Sequence, residues 1–291
     1  MRAFYGDAWR HQPVIEVENC DLFSAVITCE DNLVVRVSAG CLDALERLRS
    51  TCDVAFSIDH AFEWLLLHEL HHADLAHFDI LEGKPSLHLV TRSKRNAKSI
   101  VELSNDIRHK VSTCLELQAD HDALEMMLSD YSASDWASVR TQATSIAAVL
   151  VLIEKADGGD GDKPSTHPLA ATRIFQLLGH VAEMWSIPAH AKANTRGEGA
   201  IRDKDLPPQV VVQAFSSEVV LPVFWDAVAL AEAADAKSII SDLGSPADFF
   251  ADIGRAKLGQ WDELVTDGAK EWAELKELNT SVLEYLGHSS I

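Results

Sequence analysis

The spacing of hydrophobic and polar positions changes near residue 40. Before it, "PVIEVE" (13–18), "SAVITCE" (24–30) and "NLVVRVSAG" (32–40) are short β-branched runs with partial alternation, separated by Asn and Asp pairs. Branched side chains pack well on a pleated surface, so the pattern predicts three strands. Beyond residue 40 apolar positions recur at three- and four-residue spacing, the repeat of a helix. That repeat predicts a short helix over 42–50 and a second from about Asp59 to Phe78, with Ser57 or Asp59 at its N-cap. Longer helices follow over about 97–129 and 133–156, and another from Pro168 to about Trp185, proline being tolerated in a first turn. "EGKP" (82–85) reads as a turn, "SLHLVTRS" (86–93) as one more strand and "DGGDGDKPS" (157–165) as a Gly/Asp loop. A polar connector over 188–208 divides a region 1–187 from a helical portion 209–291. The latter holds three or four helices, broken near "DLGSPAD" and "TDGAK", and packs on the first region. The expected fold class is α+β, mostly α-helical, with a small N-terminal sheet.

Composition narrows the options. A chain of 291 residues with 47% hydrophobic and 24% charged residues can bury a sizeable core. Its net charge of −20 repels phosphate backbones, which argues against a nucleic-acid partner. The one basic cluster, "TRSKRNAK" (91–98), reads as a solvated loop or helix start. The first twenty residues lack the apolar core of a secretory signal. The longest apolar run, "SIAAVLVLI" (145–153), is about half of the ~20 residues needed to cross a bilayer. A soluble, cytoplasmic protein with no membrane insertion is expected. Five cysteines, an odd set without a C-x-x-C pair, read as free thiols. Nothing in the sequence fixes the oligomeric state.

The chemistry concentrates in "EWLLLHELHHADLAHF" (63–78). His68-Glu69-Leu70-His71-His72 fits H-E-x-x-H, and residues four apart on a helix stand on one face. His68 and His72 can therefore hold one Zn2+, with Glu69 one step round as a base for an attacking water. Burying that many ionisable groups in an apolar helix requires partners for them, and a metal ion is an efficient one. A third ligand is available in "CLELQADHDALEMM" (114–127): Glu116 can ligate. Asp120, four residues on, can accept the spare ring N–H of a ligating histidine. Competing ligands are Asp120 itself, His121, Glu102 and His77. The run Trp64, Leu65, Leu66 and Leu67 reads as core packing.

"HELHHADLAH" followed by "ELQAD" resembles the gluzincin metallopeptidases of the CAAX-prenyl-protease and heat-shock-membrane-protease type. That family carries H-E-x-x-H, often a further histidine five residues on (here His77), and a downstream E-x-x-x-D. Thr166-His167-Pro168 with Arg173-Ile174 matches a third stretch of the same family. The resemblance spans about residues 55–180 and implies a zincin-like fold, one zinc ion and endopeptidase activity on a cytosolic protein or peptide. It also implies that His167 and Arg173 face the cleft, bind substrate and stabilise an oxyanion, and that His77 lies near that cleft. Family members are often membrane-embedded or exported. The short spacing from His72 to Glu116 is nearer to soluble metallopeptidases that cleave phage or stress repressors. Metallopeptidases usually take substrate as an added strand on a sheet edge, and "NLVVRVS" or "SLHLVTRS" is expected to supply it. Two other readings remain open. One is a catalytically silent zinc-binding or regulatory protein. The other is a di-iron helical protein built on Glu69-x-x-His72, for which Asp106-x-x-His109 would be a weak second half.

Overall fold

Strand β1 (Val14–Glu18) pairs in parallel with β3 (Leu33–Ser38), and β2 (Ala25–Cys29) pairs with β3 in antiparallel, giving the order β1-β3-β2. All three strands fall where the β-branched runs predict them. In this computed structural model the described residues are 12–29, 31–75, 77–82, 105–128, 132, 134–157 and 167–285. Leu33, Val35 and Val37 alternate inward from β3 and meet Ile27 of β2 in the core. β1 is exposed at every residue, tied across the ladder by Arg36 Nε donating to Glu16 Oε2 at 3.0 Å. Of the two expected edge strands, "NLVVRVS" is instead the central one, so among the described residues the edges belong to β1 and β2, while "SLHLVTRS" lies outside the described residues.

Helices α1 (Ala39–Thr51) and α2 (Ile58–Asp74) follow the sheet. Ser57 caps α2 as its sequence position predicts, its Oγ accepting from the His60 N–H at 3.2 Å. The apolar repeat through Phe78 predicts one continuous helix, but α2 ends at Asp74 and α3 (His77–Glu82) begins anew. The break folds His77 back beside His72. Helices α4 (Asn105–Met127), α5 (Trp136–Asp157) and α6 (Ala170–Glu183) complete the region that carries the motifs.

The polar connector is only partly a loop. A 3-10 turn at Met184–Ser186 leads into α7 (Ile187–Thr195), with Pro188 in its first turn and four alanines or isoleucines to carry it. Arg196 then donates to Glu198 at 2.9 Å and to Asp205 at 2.6 Å, gathering the remainder. Helix α8 (Gln209–Phe215) continues through a π turn at Ser216–Val220 into α9 (Leu221–Ala234), which stops at Asp235 in the left-handed region. Helices α10 (Lys237–Leu243), α11 (Pro246–Lys257) and α12 (Asp267–Tyr285) complete the described residues, the predicted "DLGSPAD" break separating α10 from α11. The break predicted near "TDGAK" lies over 258–266, and "TDGAK" itself leads into α12.

One cluster of buried side chains runs from Ile27 to Ala273, so the helical tail shares a core with the sheet and α2. Its centre is α5, whose Ile146 to Val151 are all essentially buried. Trp64, Leu65 and Leu67 are buried as expected, and Leu66 is half-buried. Two helical stretches, Trp136–Asp157 and Gln209–Ala234, are long and apolar enough to cross a membrane by length and composition. Counting uninterrupted apolar runs overlooks them, because alanine, serine and threonine dilute a run without making a helix polar. The first stretch is mostly buried in the core, whereas Val210, Leu221 and Trp225 of the second reach solvent.

Fully buried Asp252 of α11 accepts from the Val265 and Thr266 N–H groups at 2.9 and 2.8 Å, and from the Thr266 hydroxyl at 3.0 Å. Removing it strands several donors at once, and a buried donor without an acceptor costs about 1–3 kcal/mol. Asp252→Ala should therefore lower unfolding stability by roughly 3 kcal/mol in urea titrations, near the sum of two such losses. A change within experimental error would show that water replaces the carboxylate there.

Candidate metal centre

Helix α2 presents His68 and His72 toward α4, which crosses it and presents Glu116 and Asp120. His68 and His72 are one turn apart, and their Nε2 atoms lie 3.3 Å from each other. Glu116 closes the triangle, with Oε2 3.3 Å from His68 Nε2 and Oε1 3.5 Å from His72 Nε2. Tetrahedral ligation at 2.0–2.1 Å separates neighbouring ligand atoms by about 3.3–3.4 Å. The edge between the two histidines matches that spacing, and the two carboxylate edges, one to each oxygen of Glu116, lie close to it. Among the described residues, this is the one group of three such side chains whose ligand atoms converge.

The other ring nitrogens are oriented from behind. His68 Nδ1 stands 2.8 Å from Asp120 Oδ1, and His72 Nδ1 stands 2.8 Å from His77 Nδ1. A carboxylate behind Nδ1 favours the tautomer whose lone pair sits on Nε2, the atom that points into the triangle. Burial, reinforced by His72, holds His77 well below the ordinary imidazole range, so its ring is neutral and able to accept.

Charge balance also fits a cation. Glu116 and Asp120 are both held in their ionised forms despite burial, the first by His68 and His72, the second by Arg173 and His68. Burial opposes charge on His68, yet Asp120 and Glu116 outweigh it and hold that imidazole up to about 10. Without an ion, the two buried carboxylates are balanced by the Arg173 guanidinium and by a proton on His68, and a metal ion in the triangle would take the place of that proton. Glu116 Oε2 is moreover buried without a hydrogen bond. The donor set of two imidazoles and a carboxylate suits zinc.

Glu69 is buried next to this group, and its Oε2 accepts the Ile27 N–H of β2 at 2.9 Å. The Ser24 carbonyl accepts from the Ser38 N–H on the β3 side, and strand alternation then turns Ile27 N–H toward the outer edge of β2. The edge strand of the sheet thus abuts the H-E-x-x-H helix.

The remaining expected site residues divide. His167 is partly exposed, with Nε2 3.8 Å from Glu116 Oε2, so the structure brings it to the triangle. Thr166 and Glu102 lie outside the described residues. His121 pairs with Glu125 at 3.4 Å on the exposed side of α4, away from the triangle. Arg173 departs from the expectation that it faces a cleft. It is 2% exposed, donates to both oxygens of Asp120 at 2.6 and 2.7 Å, and lies over the Trp64 ring at 5.7 Å. Its charge reaches the site through Asp120 and His68. A signal for this was present in "AATRIFQLLGHVAE": Arg173 falls on the stripe of Ala170, Ile174, Leu177 and Val181, all buried, and a cation on an apolar stripe requires a buried acid. Ile27 had no such signal, because it takes part through its backbone N–H, a group common to almost every residue type.

Residues 49–186 match the family model Peptidase U49. The match, over a little under half of the chain, supports a peptidase family, and it covers α2, α4 and all of α6, which carry His68, His72, Glu116, Asp120 and Arg173. No curated protein and no solved structure matches the chain.

Proposed function

We propose that the chain is a zinc-dependent endopeptidase acting on a cytoplasmic protein or peptide, with His68, His72 and Glu116 holding the ion. The observation that carries this reading is the triangle of ligand atoms, spaced as one tetrahedral ion needs, with the acid of H-E-x-x-H beside it. Zinc supplies Lewis-acid activation of water and of the scissile carbonyl. Glu69 takes the proton of the attacking water and delivers it to the leaving amine. Ile27 N–H holds one Glu69 oxygen and so fixes which oxygen is available for that transfer. His167, partly exposed beside Glu116, donates to the oxyanion. Asp120 and Arg173 orient His68, and His77 orients His72.

The test is metal content. Purified protein should carry one equivalent of zinc by elemental analysis, and His72→Ala or Glu116→Ala should strip it. A full equivalent retained by His72→Ala would remove that histidine from the ligand set. Iron in two equivalents would replace the reading with a di-iron one.

A further inference from the structure

Helix α12 lies outside the stretch that matches the peptidase family, yet it grips the elements that build the triangle. Glu271 Oε2 accepts from the Leu169 N–H at 2.8 Å and from the Thr172 hydroxyl. Helix α6 begins at Ala170, and its N-cap position is Leu169, which has no side chain able to accept from the free N–H groups of the first turn. Glu271 accepts instead the N–H of Leu169 itself, one of the N–H groups free at a helix start, from 102 residues away, at the end of the helix where negative charge is favoured. Two residues before Leu169 stands His167, and one residue after Thr172 stands Arg173, the partner of Asp120. Both flanks of the clamp therefore lead to the triangle, one through His167 and Glu116, the other through Arg173, Asp120 and His68.

Helix α12 is itself fixed tightly enough to act as a reference. Its first turn is capped by Asp242 of α10, which accepts from Gly268 N–H at 2.6 Å. At Gly268 the helices approach so closely that a Cβ would stand 2.6 Å from the Ala171 carbonyl carbon, so only glycine permits this contact. Farther along, Cys114 Sγ of α4 donates to the Leu275 carbonyl at 3.4 Å, and Leu275 packs with Leu117. Helix α12 thus bridges α4, which carries Glu116 and Asp120, and α6, which carries Arg173.

We infer that Glu271 is a positioning residue of the metal site: by capping α6 from α12 it sets the place of His167 and Arg173, and through them the geometry of the ligands. The inference rests on the zinc reading above and adds a residue beyond the family match to its working parts.

Zinc affinity of the full chain, measured by competition with a chromophoric chelator, tests this beside the d–d absorption of the cobalt-loaded protein, which reports ligand geometry. Loss of a group that orients a ligand typically weakens metal binding about 10–100-fold, and Glu271→Ala, acting at one remove, should weaken it ~10-fold with an altered cobalt band. Glu271→Gln keeps a carbonyl that accepts both hydrogens and should restore wild-type affinity and spectrum. Asp226 of α9 accepts from the Arg140 guanidinium and the Thr144 hydroxyl of α5, apart from α12 and its clamp. Asp226→Ala should therefore lower the melting temperature while leaving both metal readouts unchanged. Wild-type affinity and spectrum in Glu271→Ala would overturn the inference, as would an equal loss in Asp226→Ala. If Glu271→Ala does not fold, Thr172→Val removes half of the clamp. It should weaken zinc in the same direction, and wild-type affinity there also overturns the inference. A wild-type chain that binds neither ion overturns the zinc reading and this inference with it. Zinc bound by wild type but indifferent to Glu271 overturns the inference alone.

Discussion

Glu69→Gln should abolish cleavage while leaving zinc bound. The substitution keeps the size of the side chain and a carbonyl oxygen that can still accept the Ile27 N–H, which lies 2.9 Å from Glu69 Oε2. Fold and edge-strand contact are therefore preserved, and His68, His72 and Glu116 are untouched. What disappears is the carboxylate basicity. A positioned general acid–base contributes about 10²–10⁴ in rate, so turnover should fall by at least ~10² with one equivalent of metal retained. Elemental analysis reads the metal. Proteomics of cells expressing wild type or variant reads cleavage even while the substrate is unidentified, as new protein termini present in one and absent in the other. Identical sets of new termini would remove Glu69 from the chemistry. No new termini in wild type either, with zinc bound in both, would favour a silent metal-binding protein.

Legibility followed the range of the interaction. His68, Glu69 and His72 share a face because four residues make one helical turn, and Glu116 and Asp120 do so for the same reason; local spacing was enough to nominate them. The strands were legible too, since "VIEVE", "AVITC" and "LVVRVS" are β-branched runs bounded by turn residues. Strand order was not. Nothing local to "NLVVRVS" reveals that it sits between β1 and β2, because order depends on which hydrogen-bonding edges meet after the chain has folded back. The end of α2 is hidden for a related reason: apolar spacing persists through Phe78, although the helix stops at Asp74 and His77 then stands beside His72. Clamps such as Glu271 on Leu169 and Asp252 on Thr266 join a common acid to a backbone N–H. Neither partner is unusual in its own segment.

Arg173 gives the sharpest contrast between resemblance and structure, and the largest expected effect on stability. The resemblance places it in the cleft as an oxyanion donor, whereas the structure buries it against Asp120 in a two-bond grip. These roles predict opposite phenotypes. A buried ion pair broken on one side leaves an uncompensated charge, which costs about 3–5 kcal/mol. Asp120→Ala strands the guanidinium, and Arg173→Ala strands the carboxylate with His68 as its remaining partner, so each single variant should be destabilised by roughly that amount in urea unfolding of metal-free protein. The double variant strands neither charge, and contacting residues couple by about 0.5–3 kcal/mol, so its loss should fall short of the sum by ~2–3 kcal/mol. Asp120→Ala should also weaken zinc about 10–100-fold by releasing His68 Nδ1, without removing the metal as Glu116→Ala does. Strictly additive stabilities would dissolve the pair as an energetic unit. Complete metal loss in Asp120→Ala would make that carboxylate a direct ligand. If Arg173→Ala kept stability and zinc affinity but lost turnover alone, the guanidinium would have to swing out to the substrate, and the cleft role implied by the resemblance would be the correct one.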